Sequence, residues 1–435
     1  MRSKIKLSQC MIVKNEEKNI RQALSWAKGI AFEQIVVDTG STDKTVEIAE
    51  EMGAKVYHFT WIDDFSAAKN FAIEQATGDW IAFLDADEYF KSEDIKYLIP
   101  YLEEMEEHNR RKDYLNILRL PWLQLNDDGE VFSTSVQDRV FLNRPWLRYI
   151  NRIHEKLHSF SEQHELKIYQ GGMELPIYHT GYAKEVYAQT KKGERNIQFL
   201  LKELDETPNN RTVWGYLGDA YAANGDWEKA QQAWQKAVYM EEGEMELSNY
   251  ISAAVNLMRY YLKEEKEIDN IEKLYDKLKD VPKERADLEY WMGIYCFQKK
   301  RHQEGIVHLE AALVEMQKED NLGAYYCTGN LNTLYRNLLN GYTVTKQYAK
   351  AVEYAVQLLR TDNRQADVLA VLLGIFACAG EKTEAVYGFL EKLYPLNDLE
   401  TTVFVAKAAK EAGDLAMMKF LLDPKRLEKL GLSQK

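Results

Sequence analysis

Short apolar runs alternate with helical segments over the first 100 residues, and this alternation restricts the fold more than any other feature of the chain. The runs "IKLSQCMIV", "QIVVDTG", "AKVYHF" and "DWIAFLDAD" are typical of strands, and the helical segments between them end at glycines such as Gly29 and Gly53. Strands that alternate with helices form βαβ units and a parallel sheet. Strand-like runs between residues 110 and 185 predict a mixed β region attached to that sheet.

The chain is almost entirely helical in pattern from about residue 205, and it contains a repeat. Residues 211–244 have the spacing of a tetratricopeptide repeat, with small residues such as Gly218 where two helices approach and large ones such as Trp234 between them. Weaker copies around Gly293 and Gly374 could also be plain helical hairpins. Such arrays commonly bind a peptide or protein, although this one could instead brace the first domain or form a dimer.

The charge, the cysteine pattern and the apolar runs argue against several classes of protein. A net charge of −13 argues against a dedicated nucleic-acid-binding protein, because phosphate backbones need a basic surface. The four cysteines are scattered without a C-x-x-C pair, so neither a zinc site nor a disulfide framework is expected. Because the N-terminus lacks an apolar signal region and no apolar run of about 18 residues occurs, we expect a soluble cytoplasmic protein without a membrane span.

Three carboxylates, Asp85, Asp87 and Glu88, directly follow the apolar run "WIAFL". Two carboxylates about 4 Å apart repel each other by about 4 kcal/mol at an effective dielectric constant of about 20. A bound divalent cation relieves this repulsion, and oxygen ligands of this kind suit Mg²⁺ or Mn²⁺. The alternative is that Asp85 or Asp87 caps the next helix, although that helix has its own candidate cap in Ser92.

Polar residues also follow two other predicted strands. Asp38 and Thr39 end the second strand, and Asn15 follows the first. The carboxyl ends of neighbouring parallel strands meet at one edge of the sheet, where ligands bind, so Asp38 or Thr39 could hydrogen-bond a base or a ribose. The alternative is capping, because Ser41 or Thr42 can begin the next helix and Asn15 suits a cap as well as a ligand.

These stretches together resemble the family 2 glycosyltransferases with the GT-A fold, an α/β fold with a Rossmann-like mixed sheet, over residues 5–180. The motifs that carry the resemblance are "MIVKNEE", "VVDTGSTD", "DDFSAAKNFAIEQATGDWIAFLDADE" and "RIHEKL". It implies a nucleotide-diphospho-sugar donor, usually a UDP-sugar, a divalent metal ion and an inverting single displacement. The implied nucleotide-sugar-binding residues are Val13, Asn15, Glu16, Asp38, Thr39, Lys69, Asp85, Ala86, Arg139 and His154, and the implied metal ligands are Asp85, Asp87 and His179.

Within the motif "DAD", the resemblance implies that Asp85 lies near the ribose and that Asp87 binds the metal ion. It also implies that Lys69 lies near the donor phosphates, whereas the alternative for Lys69 is an exposed lysine on a helix. Thr39 departs from the pattern, because many relatives carry two acidic residues at that point.

Inverting transfer needs a general base at the acceptor and cations for the leaving diphosphate. The most basic stretch of the chain, "QDRVFLNRPWLRYINRIHEKLH", contains Arg139, His154 and Glu155. We predict that Glu155 is the base, while His154 or His179 could complete the metal shell or contact phosphate. The chain lacks the paired "ED" and "Q-x-x-R-W" motifs of processive synthases, which argues against polysaccharide synthesis.

The layout of the whole chain resembles the glycocin peptide glycosyltransferases of bacteriocin biosynthesis, which attach a hexose to cysteine or serine of a small bacterial peptide. It implies a GT-A catalytic domain at residues 1–205 and a tetratricopeptide-like repeat domain at residues 206–435 that binds the peptide acceptor, forms a homodimer, or both. The alternatives are transfer to a cell-surface glycan or lipopolysaccharide core, and a repeat scaffold without activity.

Overall fold

The structure is a computed structural model that describes residues 5–111, 114–180, 192–243, 245, 247–265, 267–280, 285–318 and 326–432. The chain divides into two compact units, the first formed mainly by residues up to Ala253 and the second mainly by residues from Ala254. The first unit therefore contains the sheet and the first helices of the helical region. The domain boundary at residue 205 stays a prediction.

A mixed sheet lies at the centre of the first unit. Its strands among the described residues are β1 (Leu7–Val13), β2 (Glu33–Asp38), β3 (Lys55–His58), β4 (Trp80–Phe83), β5 (Glu88–Tyr89), β6 (Ile117–Leu125), β7 (Val131–Leu142), β10 (Ile168–Gln170) and β11 (Ile177–His179), while β8 (Leu147–Ile150) and β9 (Lys156–Ser159) form a separate hairpin. The strand order is β3-β2-β1-β4-β7-β6-β11-β5, with β10 beside β6. The first four strands are parallel and β7 is antiparallel to β4 and β6, which confirms the predicted mixed sheet.

Helices cover both faces of the parallel part of the sheet, which explains why its strands are continuous apolar runs. They are α1 (Ile20–Ser25), α2 (Thr45–Glu51), α3 (Phe65–Glu74), a 3₁₀ turn (Ile95–Tyr97) and α4 (Leu98–Arg110). On one face, Leu24 of α1 and Ala49 of α2 pack with Met11. On the other face, Ile73 of α3 packs with Phe83.

Two predicted helix caps are wrong. Helix α2 begins at Thr45, and the residue before it makes no side-chain cap, so neither Ser41 nor Thr42 caps it. The Ser92 hydroxyl donates to Glu93 Oε2 at 3.3 Å, and the 3₁₀ turn that follows has no side-chain cap. The predicted strand ends are nevertheless aligned, because Val13 pairs with Asp38 and Cys10 pairs with Phe83. The segments after β1, β2 and β4 consequently meet at one edge of the sheet.

The helical part of the first unit confirms the strongest predicted repeat. It contains α5 (Lys192–Glu206), α6 (Arg211–Ala223) and α7 (Trp227–Tyr239), followed by α8 (Leu247–Glu264), which continues into the second unit. A side chain at Gly218 of α6 would overlap the indole of Trp234 on α7. Glycine therefore permits the close approach of the two helices that the repeat requires.

The second unit consists of helices in its described residues. They are α9 (Asn270–Leu278), α10 (Ala286–Gln298), α11 (His302–Met316), α12 (Tyr326–Gly329), α13 (Leu331–Val344), α14 (Tyr348–Thr361), α15 (Ala366–Ala379), α16 (Thr383–Leu390), α17 (Leu399–Glu411), α18 (Leu415–Leu421) and α19 (Pro424–Lys429). None of the helices in the described residues has the length and apolar character needed to cross a membrane.

The weaker repeats have mixed outcomes. Gly293 of α10 packs closely on Leu309 of α11, which confirms the second predicted copy as a hairpin. The third copy is not built on Gly374, because no atom would lie within 4 Å of a side chain there and α15 packs against α14 and α17, and not closely against the next helix, α16. The hairpin of α13 and α14, which encloses Tyr342 and Ala351 in the core, was not predicted.

Candidate active site

A pocket of about 530 Å³ opens at the carboxyl edge of the parallel strands, where open α/β sheets bind their ligands. Its volume is in the usual range for small-molecule sites. The sequence-predicted site residues that line it are Val13, Glu16, Thr39, Lys69, Asp85, Ala86, Asp87, Arg139, Glu155 and His179. The fold thus brings together residues from β1, β2, α3, the end of β4, β7, the segment before β9, and β11.

Buried cations neutralise much of the acidic cluster. Arg139 Nη2 donates to Asp85 Oδ2 and to Glu88 Oε1, both at 2.6 Å, and Lys69 Nζ lies 3.5 Å from Asp85 Oδ1. Burial alone would raise the pKa of Asp85, but the charges of Arg139 and Lys69 hold that pKa well below its usual range. Asp85 is therefore an ionised, doubly paired carboxylate, and it does not cap a helix.

Lys69 is 1% exposed, so the alternative of an exposed helix lysine is wrong. Its Nζ lies 2.5 Å from Glu155 Oε1 and faces the rings of Phe83 and Tyr149 at 5.3 and 5.2 Å. Helix α3 is held in place beside β8, because Asn70 exchanges two hydrogen bonds of 2.9 Å with the backbone of Tyr149. The lysine thus links the predicted base to the first acid of the "DAD" motif.

Glu88 is the deepest carboxylate of the cluster, at 1% exposure. Burial, with the nearby charges of Asp85 and Asp87, raises its pKa although Arg139 opposes this. Trp122 Nε1 donates to Glu88 Oε1 at 2.9 Å, and the backbone N–H of Asp85 donates to Oε2 at 3.0 Å. Glu88 therefore organises the backbone beneath the motif.

Asp87 and His179 form the pair that best fits a divalent ion. His179 Nε2 lies 3.3 Å from Asp87 Oδ2, and the imidazole stacks on Trp122 with ring centroids 4.4 Å apart. Two adjacent ligands of an octahedral ion at about 2.1 Å are about 3.0 Å apart, so one ion fits between these atoms. Among the described residues, no group of three or more His, Cys, Asp and Glu side chains is arranged around a single metal position.

Three predicted site residues do not line the pocket. Asn15 accepts from the backbone of Thr42 at 2.8 Å, and Asp38 accepts from the backbone N–H groups of Gly40 and Ser41 at 3.1 and 3.0 Å. Both side chains organise the turn after β2. The imidazole of His154 stacks on Tyr216 of α6 with ring centroids 4.2 Å apart.

Several lining residues were not predicted from the sequence, namely Ile12, Lys14, Trp61, Phe65, Trp122, Gln137, Arg195 and Asn196. Trp122 reaches the pocket because β6 pairs with β11, opposite Ile177, a long-range pairing with no local signal. Arg195 and Asn196 come from α5, the first helix of the helical region. Lys14 could have been found, since it lies inside a motif that was recognised. Glu88 was recognised as part of the acidic cluster, and it also lines the pocket.

Comparison with known proteins agrees with this architecture. Residues 8–173 match glycosyl transferase family 2. A TPR repeat-containing protein of Synechococcus elongatus is 35% identical over 234 residues, which are 53% of this chain and 55% of that protein. An uncharacterized glycosyltransferase of Rickettsia bellii is 34% identical over 155 residues, 35% of this chain and 51% of that protein. The SPbeta prophage-derived glycosyltransferase SunS of Bacillus subtilis is 28% identical over 202 residues, 46% of this chain and 45% of SunS. The chain spans about half the length of these relatives.

Proposed function

Since the chain combines a family 2 glycosyltransferase domain with tetratricopeptide-like repeats, we propose that it transfers a hexose from a UDP-sugar to a cysteine or serine side chain of a small peptide, with inversion. The main observation behind the proposal is that Glu155, Asp85, Asp87 and His179 line the same pocket. This pocket combines a candidate base with a candidate metal pair, which are the two parts that such a transfer needs.

The donor end of the pocket is the edge that follows β1 and β2, where Val13, Glu16 and Thr39 lie. Asp87 and His179 would hold Mg²⁺ or Mn²⁺, which when bound offsets the charge of the diphosphate. Lys14 and Arg195 line the same pocket and have no carboxylate within ion-pair distance among the described residues. They are therefore available to phosphate oxygens.

The acceptor reaction follows from the position of Glu155. Its carboxylate accepts the proton of the acceptor side chain while the acceptor atom bonds to the anomeric carbon and the sugar–phosphate bond breaks. Lys69, at 2.5 Å, orients this carboxylate. A thiol with a pKa of about 8.5 already supplies some thiolate, whereas a hydroxyl does not. Glu155→Gln should therefore slow transfer to serine more than transfer to cysteine, and equal losses would count against Glu155 as the base.

A peptide acceptor is supported by the layout of the chain, which resembles the glycocin peptide glycosyltransferases. It is also supported by α5, which contributes Arg195 and Asn196 to the pocket wall. Helical repeats are suited to hold an extended or helical peptide. Synthetic peptides that differ only in cysteine, serine or alanine at one position, followed by mass spectrometry, test this part of the proposal.

Calorimetric titration of UDP-glucose into the full chain tests the donor site directly. We expect binding with Mn²⁺ that is lost with EDTA, with Asp87→Asn and with His179→Ala. His108→Ala serves as the matched control, because the side chain of His108 on α4 is 40% exposed and does not line the pocket. Absence of binding for UDP-glucose and for other UDP-sugars would contradict the proposed function.

A further inference from the structure

The loop that leads into Glu155 has an unusual backbone. Asn151 and His154 have φ angles of 75° and 53°, in the left-handed region that residues with a side chain seldom adopt. Each such residue costs about 1–3 kcal/mol and persists only where the surroundings fix it. The contacts of residues 151–154 therefore indicate what keeps the following carboxylate in place.

Helix α3 supplies the first set of contacts. The backbone N–H of Phe65 donates to the carbonyl of Arg152 at 2.9 Å, and the Ser66 hydroxyl donates to the carbonyl of Asn151 at 2.6 Å. These bonds connect the loop to the helix that also carries Lys69. They fix the start of the loop but leave the side chains of its later residues unconstrained.

Helices α5 and α6 supply the second set. Arg152 Nη2 donates to both carboxylate oxygens of Glu206 on α5, at 2.7 and 2.9 Å. Ile153, which is 7% exposed, is part of an apolar cluster with residues of α5 and α6 such as Leu200 and Leu217. The ring of His154 stacks on Tyr216 with an interplanar angle of 24°. Each of the three residues before Glu155 thus contacts the helical region.

We propose that α5 and α6 hold residues 151–154 in the conformation that presents Glu155 to the pocket, and that Tyr216 is a positioning residue that acts through His154. The inference rests on the proposed function, because it assigns the support of the base. A shift of about 1 Å in a reacting group costs about 100-fold in rate. The first helices of the repeat region are accordingly part of the catalytic apparatus, in addition to any role in binding the acceptor.

The test compares Tyr216→Ala, Tyr216→Phe and Tyr221→Ala in the full chain. Phenylalanine keeps the stacked ring, while Tyr221 lies on the same helix and packs against the same apolar cluster without stacking on His154. We expect Tyr216→Ala to lower kcat by about 10–100-fold and to speed amide hydrogen exchange in residues 151–155 by about tenfold, with an unchanged Kd for UDP-glucose. Tyr216→Phe should behave as the parent, and Tyr221→Ala should lower Tm without these local effects.

A second variant tests the same contact in case Tyr216→Ala does not fold. His154→Asn removes the stacked ring but tolerates the left-handed backbone, so it should reproduce the same exchange and rate changes. Unchanged exchange and kcat in both variants would overturn the inference even if the parent enzyme is active. If the parent transfers no hexose, the proposed function fails, whereas the exchange result still decides whether Tyr216 holds the loop.

Discussion

Lys69 Nζ lies 2.5 Å from Glu155 Oε1, so a fully buried ammonium group on α3 contacts the candidate base of the reaction. The same ammonium group lies 3.5 Å from Asp85 Oδ1. The charge of the acidic cluster is therefore offset by Lys69 and Arg139 before any metal ion binds. This arrangement leaves Asp87 and His179 as the pair that faces the pocket for a divalent ion.

Removal of this cation should destabilise the protein in a pH-dependent way. Lys69→Met leaves Asp85 and Glu155 without their shared ammonium group, and breaking a buried pair costs about 3–5 kcal/mol. Because the charge of Lys69 helps to lower the pKa of Asp85, its removal raises that pKa in the folded state. The loss should therefore be largest at about pH 8 and smaller at about pH 5, where the folded variant can bind a proton. Urea unfolding at the two pH values measures it.

The control for this prediction is Lys14→Met. Lys14 also lines the pocket but is exposed, so its replacement should change the free energy of unfolding by no more than about 0.5 kcal/mol. Equal losses for the two variants, or a loss for Lys69→Met that does not depend on pH, would contradict the assigned role of the buried ion pair.

Trp122→Phe should weaken metal-dependent donor binding without unfolding the chain. Phenylalanine keeps an aromatic face for His179 but removes the N–H that donates to Glu88 at 2.9 Å. Glu88 in turn accepts from the backbone N–H of Asp85 at 3.0 Å, so it supports the backbone that carries Asp87. Groups that support metal ligands through such hydrogen bonds contribute about 10–100-fold in affinity, and we expect about a tenfold loss in calorimetric titration of UDP-glucose with Mn²⁺. Trp146→Phe is the matched control, because Trp146 stacks on His164 with centroids 4.8 Å apart and does not line the pocket. Equal affinities for both variants would contradict the prediction.

Replacement of two helical glycines by alanine should change the free energy of unfolding in opposite directions. Gly218→Ala places a methyl group on the indole of Trp234, and such overpacking costs about 1–3 kcal/mol. Gly374 lies inside α15 with no atom within 4 Å of an added side chain, so alanine there should stabilise the helix by about 0.5–1 kcal/mol. Denaturant unfolding of both variants checks this pair, and a stabilising effect at Gly218 would show that the helices are not closely packed there.

Glu33 should make the first unit sensitive to acid. Burial alone would raise the pKa of its carboxyl, but hydrogen bonds from Lys55, Thr77 and Ser8 lower that pKa from its usual 4.5 to about 2. Because the folded-state pKa is lowered, the stabilisation is complete above the unfolded pKa and is lost as the pH falls below about 4.5. We expect a loss of about 1 kcal/mol between pH 6 and pH 4 relative to Glu33→Gln, which cannot ionise. Parallel unfolding curves for the two proteins at both pH values would contradict this.

The sequence determined the order of the elements and several of the residue types that meet in the pocket. The alternation of strands and helices, the acidic motif after β4 and the repeat at residues 211–244 depend on residues close together in the chain, so local pattern was sufficient to predict them. The same locality explains an error: Ser41 suits a helix cap, but its hydroxyl instead accepts from the backbone N–H of Asn15 at 2.9 Å, a contact between distant segments. Ser92 also suits a cap, but its hydroxyl donates to the neighbouring Glu93.

Only the tertiary structure decided which residues of the site are buried and which of them contact one another. The sequence pattern around Lys69 is typical of a lysine on the surface of a helix. Its burial against Asp85 and Glu155 follows from the packing of α3 on β8, which brings together residues far apart in the chain. Trp122 reaches His179 through strand pairing, and His154, predicted as a ligand contact, instead stacks on Tyr216. The identity of a side chain determines which chemistry it can perform. Its burial and its contacts depend on residues that are distant in the chain, so a local sequence pattern does not predict them.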